Sequence, residues 1–149
     1  MMHPKRQYSL LPIIRLQRCL ICWPLIIFFN TTGQLNVYIV AKEKVPVQIK
    51  KDLFILPQLT FKEADSLKLT ADVIVIPALS IRDEKQDPIV ISFIQEHFTP
   101  ATKLMAVCDG AATAAATGLF DGKPITCHAS DLRYWNIIPS REKSMPAPC

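Results

Sequence analysis

The chain has 149 residues, of which 50% are apolar and 20% are charged, so it fits one globular domain and is not a disordered or collagen-like chain. Five of the 17 basic residues and none of the 13 acidic ones lie in residues 1–42, which leaves residues 43–149 with a net charge of −1. Because the body of the chain is near neutral, the composition argues against a nucleic-acid-binding surface.

The N-terminal segment, residues 1–23, places basic side chains before an apolar run from Cys19 to Phe29. This order resembles a signal peptide, but no small-residue cleavage site follows. The run is also shorter than the about 20 apolar residues that a membrane-spanning helix needs. A buried strand or helix of the domain is therefore favoured, with a membrane anchor and a cleaved signal as the alternatives.

The five cysteines are scattered along the chain, and their odd number favours a reducing, cytoplasmic location over a disulfide framework. Cys19 and Cys22 form a Cys-x-x-Cys spacing, which in thioredoxin-like proteins is a redox motif. Here the pair lies inside the most apolar segment, so two buried thiols are expected. A membrane-anchored location through that segment is the alternative.

The body of the chain alternates predicted strands and helices. Apolar, β-branched runs predict strands at residues 35–41, 53–56, 71–76, 104–107 and 123–127. A capping-box spacing at Thr60 and an Asp87-Pro88 start each predict a helix, and the alanine-rich stretch before Gly118 predicts a third. This alternation predicts a parallel sheet with both faces covered.

Cys108 falls at the predicted turn between the strand 104–107 and the alanine-rich helix. A residue at such a turn lies above the carboxyl edge of the sheet, where open α/β folds bind ligands. The positive end of the helix favours the thiolate there, and the backbone N–H groups of Asp109 and Gly110 are candidate oxyanion donors. Gly110 also permits a tight turn. The alternative is a cysteine buried as a small apolar residue.

His128 follows the predicted strand 123–127. If that strand lies beside strand 104–107, His128 and Cys108 meet at the same sheet edge and form the pair that an activated sulfur nucleophile needs. Asp131 is then placed to orient the imidazole. A purely structural histidine is the alternative, and His3 and His97 are expected to face solvent.

Residues 106–128 resemble the nucleophile-elbow region of the ThiJ/PfpI family in the class I glutamine amidotransferase-like superfamily. The shared features are a cysteine elbow, a small-residue helix, a Thr-Gly-Leu-Phe-Asp-Gly stretch and a strand that ends in Thr-Cys-His. Residues 73–77 and 24–41 are similar to other elements of the family. The resemblance covers residues 24–132 and implies a flavodoxin-like three-layer α/β sandwich with a mostly parallel sheet, commonly dimeric, with Cys108 reactive and His128 near it.

The chain departs from the family pattern at both ends. Family members commonly place an acidic side chain from the N-terminal region beside the cysteine, whereas residues 1–42 contain no acid. Beyond Asp131 the family continues through a strand and a closing helix, whereas residues 133–149 are predicted to be a disordered tail. The sandwich is therefore expected to be incomplete at its C-terminal side.

Three functions stay open at this point. The first is an enzyme in which Cys108 attacks a small electrophilic substrate, with hydrolase, hydratase or glyoxalase-type chemistry. The second is a non-catalytic redox or ligand-sensing regulatory domain, and the third is a truncated gene product without activity. The sequence contains no glycine-rich phosphate loop and no zinc-spaced cluster, so no cofactor or metal is expected. The expected partners are a small molecule and a second copy of the chain.

Overall fold

A computed structural model of the chain describes residues 6–10, 26–27, 30–31, 35–50, 53–77, 87–108 and 110–123. The strands are β1 (Arg6–Leu10), β2 (Leu35–Ala41), β3 (Val47–Lys50), β4 (Leu53–Ile55), β5 (Leu59–Thr60), β6 (Val73–Ile76) and β7 (Lys103–Ala106). The helices are α1 (Phe61–Ser66), α2 (Pro88–His97) and α3 (Gly110–Ala116). Residues 26–27 and 30–31 are also helical.

Five strands form one sheet in the order β5-β2-β1-β6-β7, and all neighbours in it run parallel. This arrangement confirms the predicted flavodoxin-like α/β class with a mostly parallel sheet. The central strand, β1, comes from the N-terminal segment for which the sequence left an anchor and a strand open. Within the described part of the chain, no helix has the length and apolar character to cross a membrane.

Strand β6 separates two core clusters because its side chains alternate between the faces of the sheet. Ile74 and Ile76 are fully buried in the cluster that also contains the apolar side chains of α1, α2 and α3. Val75 is buried in the second cluster, on the opposite side of β6, with Ile26. The predicted double burial of this strand is therefore confirmed, and the sheet is held by apolar contacts on both faces.

The helix boundaries follow the capping signals in the sequence. Thr60 and Glu63 form the predicted capping box at the start of α1. Asp87 caps α2, with its side chain accepting the Ile89 N–H at 2.9 Å. Gly118 lies just beyond α3 with a φ of 69°, the left-handed conformation that ends many helices.

The capping box makes α1 sensitive to acid. The Thr60 backbone N–H donates to the Glu63 carboxylate and Lys44 pairs with it, and these contacts hold the pKa of Glu63 below its ordinary value of 4.5. Such a group stabilises the fold fully above its ordinary pKa, and that stabilisation is lost as the pH falls through the lowered value.

We therefore expect the urea midpoint of the wild type to fall further between about pH 6 and about pH 3 than that of Glu63→Gln, which keeps the capping geometry but does not titrate. Urea unfolding of both proteins at the two pH values measures the difference. Equal losses in the two proteins would contradict the role assigned to this carboxylate.

The predicted strand 53–56 does not join the parallel sheet. It is observed as β4, which pairs antiparallel with β3 in a separate two-stranded hairpin. Only two residues separate the two strands, and a parallel pair needs a crossover of a dozen residues or more. The hairpin therefore leaves Phe54 and neighbouring Leu56 more than half exposed.

The expectation that His97 faces solvent is wrong. Its side chain is only 15% exposed, and its ring stacks on Phe93 with 4.0 Å between the ring centroids. Its Nε2 lies 3.3 Å from Oδ1 of Asp65, so the ring links α2 to α1. The four-residue spacing of Phe93 and His97 places them on one helix face, which explains the burial.

Candidate functional site

The turn that carries Cys108 begins where β7 leaves the sheet. Ile76 and Ala106 are register partners, and the Val107 N–H donates to the Ile76 carbonyl at 2.9 Å. Cys108 follows with a φ of 53° and an exposed side chain. The left-handed conformation costs a residue with a Cβ atom about 1–2 kcal/mol. The surrounding structure therefore holds Cys108 in a strained and accessible position, contrary to the buried-cysteine alternative.

Gly110 is the reason that the turn is so tight. A Cβ atom at this position would lie 2.5 Å from the Ile76 carbonyl oxygen and 2.6 Å from the Pro77 carbonyl oxygen. Both distances are shorter than real Cβ contacts, so only glycine lets α3 begin against the end of β6. The tight turn that the sequence predicts at Gly110 is thus observed in the structure.

Two hydrogen bonds between main-chain groups close the turn. The Gly110 N–H donates to the Val107 carbonyl at 2.9 Å, and the Ala111 N–H donates to the Cys108 carbonyl at 3.1 Å. The Gly110 N–H is therefore already used inside the turn, and an oxyanion role for it requires that this bond be shared or opened.

The helix that follows packs closely against the sheet because its side chains are small. Its buried positions are Gly110, Ala111, Ala112, Thr113, Ala114 and Ala115. Ala114 belongs to the same core cluster as Ile74 and Ile76 of β6. The alanine-rich sequence thus fixes the start of α3, and with it the position of Cys108, relative to the central strands.

Three predicted site residues lie outside the described part of the chain. They are Asp109, His128 and Asp131. The pairing of Cys108 with His128 and the orienting role of Asp131 therefore stay predictions, as does the oxyanion role of the Asp109 N–H. The predicted strand 123–127 and the tail 133–149 lie outside it almost entirely, since the description ends at Lys123.

Lys42 is a charged residue at the carboxyl edge to which the sequence analysis gave no role. It directly follows β2, and its Nζ lies 3.3 Å from Oδ2 of Asp87. The two side chains are 36% and 30% exposed. The available signal was its position immediately after a predicted parallel strand, where residues face the ligand-binding edge of the sheet.

The described part of the chain also has an open groove that lies apart from Cys108. No group of three or more His, Cys, Asp or Glu side chains in these residues is arranged to hold a metal ion. An open groove of about 340 Å³ lies between α1 and α2, and its lining includes Phe61 and Phe93. Cys108 does not line this groove, so we assign it no part in the thiol chemistry.

Comparisons with known proteins agree with this architecture. The model of the DJ-1/PfpI family matches residues 21–136. The sequence has no significant match among curated proteins. Solved structures with the same fold include a variant of a DJ-1 superfamily protein from Salmonella typhimurium, with 18% identity and a TM-score of 0.68 over 91% of this chain and 71% of the other.

A variant of DJ-1 from Schizosaccharomyces pombe is 18% identical, with a TM-score of 0.70 over 96% of this chain and 76% of the other. A ThiJ/PfpI family protein from Pseudomonas syringae is 21% identical, with a TM-score of 0.65 over 93% of this chain and 58% of the other. At these identities the solved structures show only that the fold is shared. Membership of the family rests on the family model, which matches more than half of the sequence. The chain belongs to the DJ-1/PfpI family.

Proposed function

We propose that the chain is a cysteine-dependent enzyme that acts on a small electrophilic carbonyl compound, with Cys108 as its nucleophile. The observation that carries this proposal is the strained, exposed conformation of Cys108 at the carboxyl edge of the sheet. Such strain persists only where the surrounding structure enforces it, and it is concentrated at active sites. On either side of Cys108, the turn is closed by the hydrogen bonds from Gly110 N–H to the Val107 carbonyl and from Ala111 N–H to the Cys108 carbonyl.

In the proposed reaction, the sulfur of Cys108 attacks the carbonyl carbon and forms a C–S bond. The electron pair of the C=O bond moves to the oxygen, where the Asp109 N–H is the proposed hydrogen-bond donor. His128 accepts the thiol proton and returns it to the oxygen, and Asp131 orients the imidazole. The product of this step is a hemithioacetal, from which a glyoxalase-type reaction can proceed.

The test compares the wild type with Cys108→Ala in the presence of a small 2-oxoaldehyde. We expect many substrate molecules to be consumed per wild-type chain and the rate to fall by at least about 100-fold in the variant. Cys108→Ser is the matched control, because it replaces the thiol with a hydroxyl group of similar size. Turnover that survives in Cys108→Ala would rule out Cys108 as the nucleophile.

Exposure of Cys108 also favours a second candidate function, that of a redox or ligand-sensing regulatory domain. Peroxide would oxidise the thiolate to a sulfenic acid, with one oxygen atom transferred to sulfur and water released. Consumption of a single equivalent of peroxide, together with no turnover of carbonyl compounds, would identify this function. Both candidates need a reduced thiol, and we therefore place the protein in the cytoplasm.

The exposed apolar side chains of the β3–β4 hairpin support a homodimer. Phe54 is 55% exposed, and Leu56, directly after β4, is 60% exposed, so neighbouring apolar side chains face outward here. We propose that a second copy of the chain covers this surface, and sedimentation of the full chain tests it. A monomer at all concentrations would contradict the proposal.

A further inference from the structure

We propose that Lys42 is the charge-recognition residue of the Cys108 site and that it favours substrates with an anionic group, such as a carboxylate, near the electrophilic carbon. This inference rests on the proposed function of Cys108. It adds a substrate class, small oxo compounds that carry a negative charge, which the thiol alone does not specify.

The strand register brings Lys42 and Cys108 to the same carboxyl edge of the sheet, each just beyond the end of its strand. One line of register partners crosses strands β2, β1, β6 and β7 through Ile39, Leu10, Val75 and Met105. Three residues beyond this line, the chain reaches Lys42 after β2 and Cys108 after β7. Three strand spacings, or about 14 Å, separate β2 from β7. The four-carbon stem of a lysine covers part of that distance, and a small bifunctional molecule fits the remainder.

The ion pair with Asp87 orients Lys42 without using all of its donors. A lysine ammonium has three N–H donors, and one of them faces Oδ2 of Asp87 at 3.3 Å. The side chain of Lys42 is still 36% exposed, so donors are accessible to a ligand at the edge. The ammonium group of Lys42 is therefore oriented by Asp87, accessible to a ligand, and on the same sheet edge as the thiol.

The negative charge of Asp87 is shared between two positive groups. Its Oδ1 accepts the Ile89 N–H at 2.9 Å at the N-terminus of α2, where the helix dipole is positive. Its Oδ2 faces Lys42. Because the helix end balances part of the carboxylate charge, Asp87 does not fully neutralise the ammonium group of Lys42.

The experiment measures how fast Cys108 in the full chain is alkylated by iodoacetate, an anion, and by iodoacetamide, its neutral analogue. Mass spectrometry of the peptide containing Cys108 separates it from the other cysteines. The ratio of the two rates cancels the intrinsic reactivity of the thiol and reports the local charge. It is measurable whether or not the chain turns over a substrate.

We expect Lys42→Met to lower the iodoacetate-to-iodoacetamide ratio about twofold and Asp87→Asn to raise it by a similar factor, with both shifts reduced by added salt. Asparagine is as good a helix cap as aspartate, so the second variant keeps the start of α2. Lys44→Met is the matched control. It removes an equal charge whose Nζ pairs with Oε1 of Glu63 at 3.0 Å, and it should leave the ratio unchanged.

Unchanged ratios in both Lys42→Met and Asp87→Asn, with a reactive thiol, would overturn the role of Lys42 and leave the proposed nucleophile intact. A shift in Lys44→Met as large as that in Lys42→Met would also overturn it, because the effect would then be that of net charge. A Cys108 that neither reagent modifies would overturn the proposed function and this inference together.

Discussion

Gly110→Ala is expected to lower the free energy of unfolding by at least about 3 kcal/mol, which is a large part of the stability of a domain of this size. The added methyl group would lie 2.5 Å and 2.6 Å from two carbonyl oxygens of the backbone, which cannot rotate away as a side-chain end can. Relief requires α3 to move away from β6, and this movement opens the packing of its buried alanines. Urea unfolding followed by circular dichroism measures the loss.

Gly122→Ala is the matched control for this steric effect. Gly122 has a φ of 75° and nothing within 4 Å of the position of a Cβ atom, so its substitution adds backbone strain without a collision. We expect a cost of about 1 kcal/mol there. If Gly110→Ala proves no more destabilising than Gly122→Ala, the close approach of α3 to β6 does not hold.

Cys108→Gly is expected to be more stable than Cys108→Ala by about 1 kcal/mol, although neither variant carries a thiol. Glycine adopts the φ of 53° without the Cβ penalty that alanine shares with cysteine. Thermal unfolding of the two variants isolates the strain, because the chemistry of the side chain is absent from both.

Ala116→Gly is the control, because replacing alanine with glycine is expected to lower the stability there. Ala116 lies at the end of α3, where glycine lowers helix stability by up to about 1 kcal/mol relative to alanine. If Cys108→Gly is less stable than Cys108→Ala by as much as Ala116→Gly is less stable than the wild type, residue 108 is not strained.

The sequence predicted the sheet best where side-chain pattern and burial coincide. Strand β2 has the predicted bounds, and β6 lies inside the predicted run, because both are continuous β-branched segments with two buried faces. The sequence left a strand open in residues 1–23 but did not give the bounds of β1, although it is central, since Arg6, Gln7 and Ser9 give it no apolar pattern. Its place in the sheet depends on backbone pairing with β2 and β6, which a local pattern does not reveal.

The same distinction applies to the candidate site. The turn at Cys108 was predictable because a short apolar strand, a glycine and a small-residue helix are adjacent in the sequence. The relation between Lys42 and Cys108 was not, because it depends on the register of four strands. The burial of His97 was predictable in part. Its spacing from Phe93 can be read from the sequence, but its contact with Asp65 on α1 cannot.

Main-chain hydrogen bonds and the close packing of Gly110 hold the turn at residue 108. The carbonyl oxygen of Ile76 accepts the Val107 N–H, and the carbonyl oxygens of Ile76 and Pro77 both lie against Gly110. These contacts are made by the main chain and not by the side chain at position 108. We therefore expect a selenol installed there to keep them, so that two reactive groups can be compared on one backbone.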